Sequence, residues 1–199
     1  MIQVIFFGGY LSTQTDISAW LSSAKAQEPS VTFQGFAFPK GVGADGNAGI
    51  RGFGKLKLLS LANNILDWSG YTIIVGHSSG CALANELAAM SVADMNGVHT
   101  ELVALDGYVP NAALRKQMHT TCWSAKCGGT FSRNWNAMSG TENFHFIESP
   151  NCVNAPWALH FSLVNSNATE SNVRRITQGY SNCKANLMWL EEFINRQNI

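Results

Sequence analysis

Apolar and polar positions along this chain switch repeatedly between two periods. Short apolar, β-branched runs at 2–7, 31–38, 71–76, 101–105 and 143–148 read as strands. Stretches at 14–26, 55–68, 79–92, 110–118 and 184–197 read as helices. The last of these carries Leu187, Leu190, Phe193 and Ile194 at helical spacing, a stripe that faces a core. Strands alternating with helices predict a mostly parallel sheet covered on both faces. No repeat or linker interrupts the pattern, so a single domain over 1–199 is expected, with 107–142 as a short, lid-like insertion. Residues 39–54 are rich in Gly, and 119–142 in Cys, Trp, Gly, Ser and Asn, without clear periodicity. Loops of that length are usually functional or mobile.

The strand at 71–76 ends directly in Gly76-His77-Ser78-Ser79-Gly80, and a helix pattern follows at once. Strand, G-x-S-x-G, helix is the context of a nucleophile elbow. Ser78 then sits on a sharp turn, with Gly76 and Gly80 where side chains would collide with the neighbouring helix and strand. A serine hydroxyl needs a base, and the base needs an orienting carboxylate. Downstream, Asp106 stands at the C-terminal end of the apolar run 102–105. That is the sheet edge where an elbow opens. Of the later histidines, His119 precedes an irregular stretch and His145 lies inside a strand pattern. His160 follows the last strand by about a dozen residues, in a loop, where the base belongs. Glu148, at the end of the last strand, is the alternative acid. An oxyanion hole needs two backbone N–H groups. One is expected from Ser79, and the other from the glycine loop Gly8-Gly9-Tyr10-Leu11, with Tyr10 or Leu11 as the donor and Gly9 allowing close approach.

Three blocks, Gly76-His77-Ser78-Ser79-Gly80, Leu105-Asp106-Gly107-Tyr108-Val109-Pro110 and His160-Phe161-Ser162-Leu163, resemble those of α/β-hydrolase thioesterases, which release chains from carrier proteins. The acid of that family lies 20-odd residues beyond the serine, and here the spacing is 106 − 78 = 28. The resemblance implies a compact α/β-hydrolase fold with a minimal lid and a Ser78–His160–Asp106 triad. The implied substrate is a small acyl ester or thioester, carrier-bound acyl groups included. A general carboxylesterase or lipase-type esterase, or a non-catalytic α/β-hydrolase-like binding module, are the alternatives.

Charged residues make up only 13% of the chain, and Lys+Arg and Asp+Glu are 13 each. Zero net charge argues against nucleic acid and anionic membrane surfaces as partners. No apolar run approaches the ~20 residues of a membrane span. Met1 runs straight into a strand without a basic leader, so a cytoplasmic location is expected. The five cysteines form no C-x-x-C pair and have no histidine at zinc spacing, so neither a metal nor a cofactor is expected. Cys81 reads as a buried small residue, Cys122 with Cys127 and Cys152 with Cys183 as candidate bridges, and Asn167-Ala168-Thr169 as a glycosylation sequon in a secreted context. Gly41 to Gly46 matches G-x-G-x-x-G, and Gly49 to Lys55 nearly matches a P-loop, but Leu56 stands where Ser or Thr would hold Mg²⁺. This loop reads instead as the rim of the active-site mouth. Tyr108, Trp123, Phe131, Trp135, Met138 and Trp157 are expected to line an apolar substrate pocket.

Overall fold

The computed structural model describes residues 1–94, 99–107, 112–126, 144–148 and 156–199. Among the described residues six strands form one sheet: β1 (Ile2–Phe7), β2 (Val31–Phe36), β3 (Tyr71–His77), β4 (Thr100–Leu105), β5 (His119–Lys126) and β6 (Phe144–Glu148). Their order is β2-β1-β3-β4-β5-β6, and every neighbouring pair is parallel. The helices are α1 (Gln14–Gln27), α2 (Gly46–Phe53), α3 (Lys55–Leu66), α4 (Gly80–Asp94), α5 (Ala112–Gln117), α6 (Pro156–Ser162) and α7 (Met188–Gln197). This is a compact α/β fold, a parallel sheet with helices on both faces, as the alternating pattern predicts. Among the described residues no helix is long and apolar enough to cross a membrane.

The inner strands are apolar on both sides because both faces are covered. On one face Val4 and Phe6 pack with Trp20 of α1, Phe161 of α6, and Trp189 and Phe193 of α7. On the other, Ile5 and Phe7 pack with Leu58 of α3, Leu83 and Leu87 of α4, and Leu114 of α5. Trp20 stacks flat on Phe6, with centroids 4.1 Å apart, and its indole N–H donates to the Val164 carbonyl at 2.9 Å. Gln3 is polar yet buried. It faces Thr72 across the β1–β3 ladder and donates to that hydroxyl at 2.8 Å, so the pair is satisfied. A capping box between Thr13 and Asp16 starts α1 immediately after the loop that follows β1, fixing that loop's exit.

Several elements depart from the sequence expectation. Residues 119–126 are a full sheet strand, β5, rather than the start of an irregular stretch, so part of the expected 107–142 insertion belongs to the sheet. Thr120, Thr121, Cys122 and Trp123 are good strand formers that the adjoining Gly/Asn-rich composition hid. The glycine-rich loop contains α2, capped by Asp45. Its glycines allow contact: a Cβ on Gly49 would lie 2.4 Å from the Phe38 ring. Helix α7 starts at Met188 rather than 184, because Ala185 forms an antiparallel bridge with Asn165. The stripe holds, with Leu187, Leu190 and Phe193 buried. Cys122 and Cys183 are unbridged thiols, while Cys127 and Cys152 lie outside the described residues. Burial pushes both thiols up to about 12, so they stay protonated.

At the N-terminal edge of the sheet, Arg196 of α7 clamps the Glu101 carboxylate with two 2.7 Å bonds, and His119 Nδ1 stands 3.2 Å from it. Burial opposes ionisation of Glu101, but the Arg196 and His119 contacts prevail and hold its carboxyl below the ordinary value. A depressed carboxyl stabilises the fold above the unfolded-state value near ~4.3, and that stability is lost as pH falls through the lower folded value. Arg196→Met is expected to cost about 1–3 kcal/mol at pH 7, at the modest end because the guanidinium is one-third exposed. Thermal melts from pH 7 to pH 3 check this. The gap in Tm between variant and parent should close at the acid end, and a gap independent of pH contradicts it.

Candidate active site

The C-terminal edge of the sheet gathers the ends of β1, β3 and β4. Ser78, directly after β3, has φ +54°, in the left-handed region where non-glycine residues are strained. Its neighbours are held in that turn by close contact. A Cβ on Gly76 would lie 2.4 Å from Cys81 Cα, at the start of α4. A Cβ on Gly80 would lie 2.4 Å from the Phe7 carbonyl oxygen on β1. The two glycines therefore let the turn nest between the next helix and the adjacent strand. Ser78 is half-buried, and α4 begins two residues later, so the positive end of a 15-residue helix lies beside the hydroxyl.

The β1 loop comes down onto the same serine. A Cβ on Gly9 would lie 2.8 Å from Ser78 Cβ. Gly9, Tyr10, Leu11 and Ser12 form a turn closed by Ser12 N–H to the Gly9 carbonyl at 3.0 Å, with Leu11 at φ +65°. The Gly9 N–H donates to the Tyr180 hydroxyl at 2.9 Å, so Gly9 supplies room rather than an open donor. Among the described residues no acceptor takes the N–H of Tyr10, Leu11 or Ser79. Ser79 directly follows Ser78, and Tyr10 and Leu11 directly follow the Gly9 that abuts it. The Ser79 hydroxyl donates to the Ala44 carbonyl at 3.0 Å, which seats the glycine-rich loop on the elbow. The N-terminus of α2 is filled by the Asp45 carboxylate, which accepts from Ala48 N–H at 2.8 Å, so it offers no open phosphate cradle.

Asp106 follows β4 with φ +45° and is fully buried. Each of its carboxylate oxygens has a defined partner. Oδ1 accepts from Ala125 N–H at 2.9 Å and Ser124 Oγ at 3.2 Å, both on β5, while Oδ2 meets His160 Nδ1 at 2.5 Å. The sequence reading brought together Asp106 and His160 but missed the Ser124–Ala125 clamp, because β5 itself was missed. Gly107 follows the acid without a side chain because a Cβ there would lie 2.2 Å from the Ser78 carbonyl oxygen.

His160 is buried and sits in α6 rather than in a loop. Pro156 is pre-set for the first helical position, and Ala158, Leu159 and Phe161 bury the helix against the core. With Nδ1 donating to Asp106, Nε2 is the basic nitrogen. His160 also lies against the elbow: its ring is 4.5 Å, centroid to centroid, from His77, the residue before Ser78. The other histidines are placed elsewhere. His119 opens β5 at the opposite sheet edge beside Glu101, and His145 is in β6. Glu148 ends β6, two strands away from β4, and its side chain lies outside the described residues. Tyr108, Phe131, Trp135 and Met138 are also outside them. Trp123 packs partly buried on the core, and Trp157 stands edge-on to His160 with centroids 6.0 Å apart.

A cavity of about 500 Å³ opens beside the β1 loop. Tyr10, Leu11, Phe38, Pro39 and Val42 give it apolar walls, and Lys40 is the charged residue among those lining it. It shares the Gly9–Ser12 turn with the surroundings of Ser78.

No family model matches this chain, and no curated protein matches it by sequence. Solved structures resemble it in the course of the chain. A CIB-like hydrolase predicted in Thermoplasma acidophilum is 14% identical, with TM-score 0.44, over 77% of this chain and 80% of that one. A Xanthomonas campestris protein assigned to the alpha/beta hydrolase superfamily is 14% identical, with TM-score 0.48, over 79% and 95%. Phospholipase PlaB of Legionella pneumophila is 13% identical, with TM-score 0.38, over 70% of this chain and 41% of that one. At such identities these are likenesses of fold.

Proposed function

We propose that the protein is a serine hydrolase that cleaves a small ester or thioester through an acyl-enzyme. The observation that carries this reading is the pairing of a strained, glycine-flanked Ser78 with a buried Asp106–His160 hydrogen bond at the same sheet edge. In the reaction, His160 Nε2 takes the Ser78 proton as Oγ attacks the acyl carbon. The negative charge on the former carbonyl oxygen is met by the N–H groups of Tyr10 and Ser79. His160 then passes the proton to the departing oxygen or sulfur, and water, activated by the same nitrogen, releases the acid. Asp106 keeps the imidazole in the tautomer with Nε2 bare and stabilises the imidazolium. A fluorophosphonate probe tests the reading directly: mass spectrometry should place the adduct on Ser78. Modification at another serine, or none, overturns it.

The acyl part of the substrate fits the cavity beside the β1 loop, whose walls are apolar. Burying methylene groups there is worth up to ~0.8 kcal/mol each, or about two- to fourfold in kcat/KM per CH₂. Specificity should therefore rise from acetyl to hexanoyl esters and thioesters. A flat profile, or preference for a charged acyl group, contradicts the assignment. Matched ester and thioester pairs of one acyl length separate an esterase from a thioesterase.

A further inference from the structure

We propose that Tyr180 and His77 are positioning residues that join the β1 loop and His160 through one buried hydrogen-bond relay. The relay runs from Gly9 N–H to Tyr180 Oη at 2.9 Å, from Tyr180 to His77 Nδ1 at 2.8 Å, and from His77 Nε2 to the His160 carbonyl at 3.1 Å. It rests on the hydrolase reading above and adds two residues that touch neither Ser78 Oγ nor the substrate cavity in that reading.

The direction of every bond is forced. A carbonyl only accepts, so His77 carries its proton on Nε2. His77 is fully buried, and burial, followed by the nearness of His160, holds it well below the usual imidazole range, so its Nδ1 is bare and must accept. Tyr180 therefore donates to His77, and a lone pair of its oxygen receives the Gly9 N–H. Burial also raises the phenol above its ordinary value, which keeps that proton in place. Each donor is used once and each acceptor is filled.

The two ends of this relay are the parts of the site that must not drift. At one end Gly9 is held on both of its peptides: its N–H, in the Gly8–Gly9 peptide, by Tyr180, and its carbonyl, in the Gly9–Tyr10 peptide, by Ser12 N–H at 3.0 Å. Fixing that carbonyl fixes the Tyr10 N–H of the same planar peptide, pointing the other way. At the other end, His160 is gripped at its carbonyl by His77 and at its ring by Asp106. The Tyr180 ring is itself locked, edge-on to Phe161 at 5.3 Å, and the preceding carbonyl, that of Gly179, accepts from the buried Asn165 amide at 2.9 Å. Oxyanion donors and general base are thus coupled by a part of the chain, 179–180, that lies outside all three motif blocks.

Steady-state kinetics of folded variants test this. Tyr180→Phe keeps the ring and removes the hydroxyl. It should lower kcat by about 10- to 100-fold with KM within about twofold, since a slack oxyanion loop and base act on the transition state. Affinity for a boronic acid or trifluoromethyl ketone, which mimic the tetrahedral oxyanion, should fall by the same factor. His77→Leu should match that loss, and the double variant should lose no more than either single one, because both cut one relay. His77→Gln, whose amide can accept and donate in the same sense, should recover most of the loss. Unchanged kcat in Tyr180→Phe, or additive losses in the double variant, overturns the relay. If Tyr180→Phe does not fold, the contrast between His77→Leu and His77→Gln decides, and equal rates overturn it. The ¹⁵N spectrum of the parent protein gives a check without mutation: His77 protonated at Nδ1 rather than Nε2 refutes the bond directions. If Ser78→Ala retains activity, the hydrolase reading itself falls. If Ser78→Ala is inactive and Tyr180→Phe is not impaired, only the relay falls.

Discussion

Ser78→Ala is expected to lower kcat on the order of 10⁴-fold or more while leaving the thermal melt near that of the parent. The size follows from removing the only atom that forms the acyl bond in the proposed reaction. What remains is an oxyanion pocket and a cavity acting on water. The fold should tolerate the change because alanine is smaller and the hydroxyl is half-exposed. The backbone strain at φ +54° does not disappear, since alanine is no more at ease there than serine. A glycine at 78 should in fact raise the melting temperature while being equally inactive. Loss of activity accompanied by loss of the folded signal would show a structural effect instead.

Asp106→Asn is the second large effect, expected at roughly 10²–10⁴-fold in kcat. The mechanism can be read from the carboxylate's partners. Ala125 N–H and Ser124 Oγ both aim at one oxygen of residue 106, so the amide of the variant must keep its oxygen there. Its NH₂ group is then turned toward His160 Nδ1. Two donors cannot face each other, so the imidazole moves its proton to Nε2, the nitrogen that must receive the Ser78 proton. Activity should recover partly at high pH only if hydroxide substitutes for the base. Glu148→Gln should be mild beside it. If Glu148→Gln is the crippling change and Asp106→Asn is mild, the acid has been misassigned.

The strands β1, β3 and β4 were legible because both faces are buried and their apolar runs are continuous. The tight turn at Ser78 was legible because the glycines around it answer contacts that the backbone alone dictates. Asp106 was singled out by its place at a strand end and His160 by chain order, and folding sets the two in hydrogen-bond contact. The helix that carries His160 was not foreseen, because seven residues of mixed character carry no periodic signal. Strand β5 was hidden by its neighbours' composition, and with it the two groups that orient Asp106. Nothing in the sequence around Tyr180 foretells its contacts: a tyrosine in a polar, turn-rich stretch meets the distant Gly9 and His77 only when folding sets them against it. In the same way, the sequence could not tell that the Gly9 N–H is engaged by Tyr180.

The all-parallel ladder also sets how this chain reaches its native state. Parallel neighbours cannot be joined by a tight hairpin, and the closest pairing in sequence, Glu101 with His119, spans 119 − 101 = 18 residues. The first strand, β1, is paired with residues 29 positions away in β2 and 69 in β3 (31 − 2 and 71 − 2). Its Val4 and Phe6 are then sealed by Trp189 and Phe193 from the last helix. Loop closure must therefore precede most of the burial that rewards it. Refolding should be slow for the chain's size, on the order of milliseconds to seconds. Its partly closed forms should carry bare strand edges, so yield from dilution out of denaturant should fall steeply as protein concentration rises.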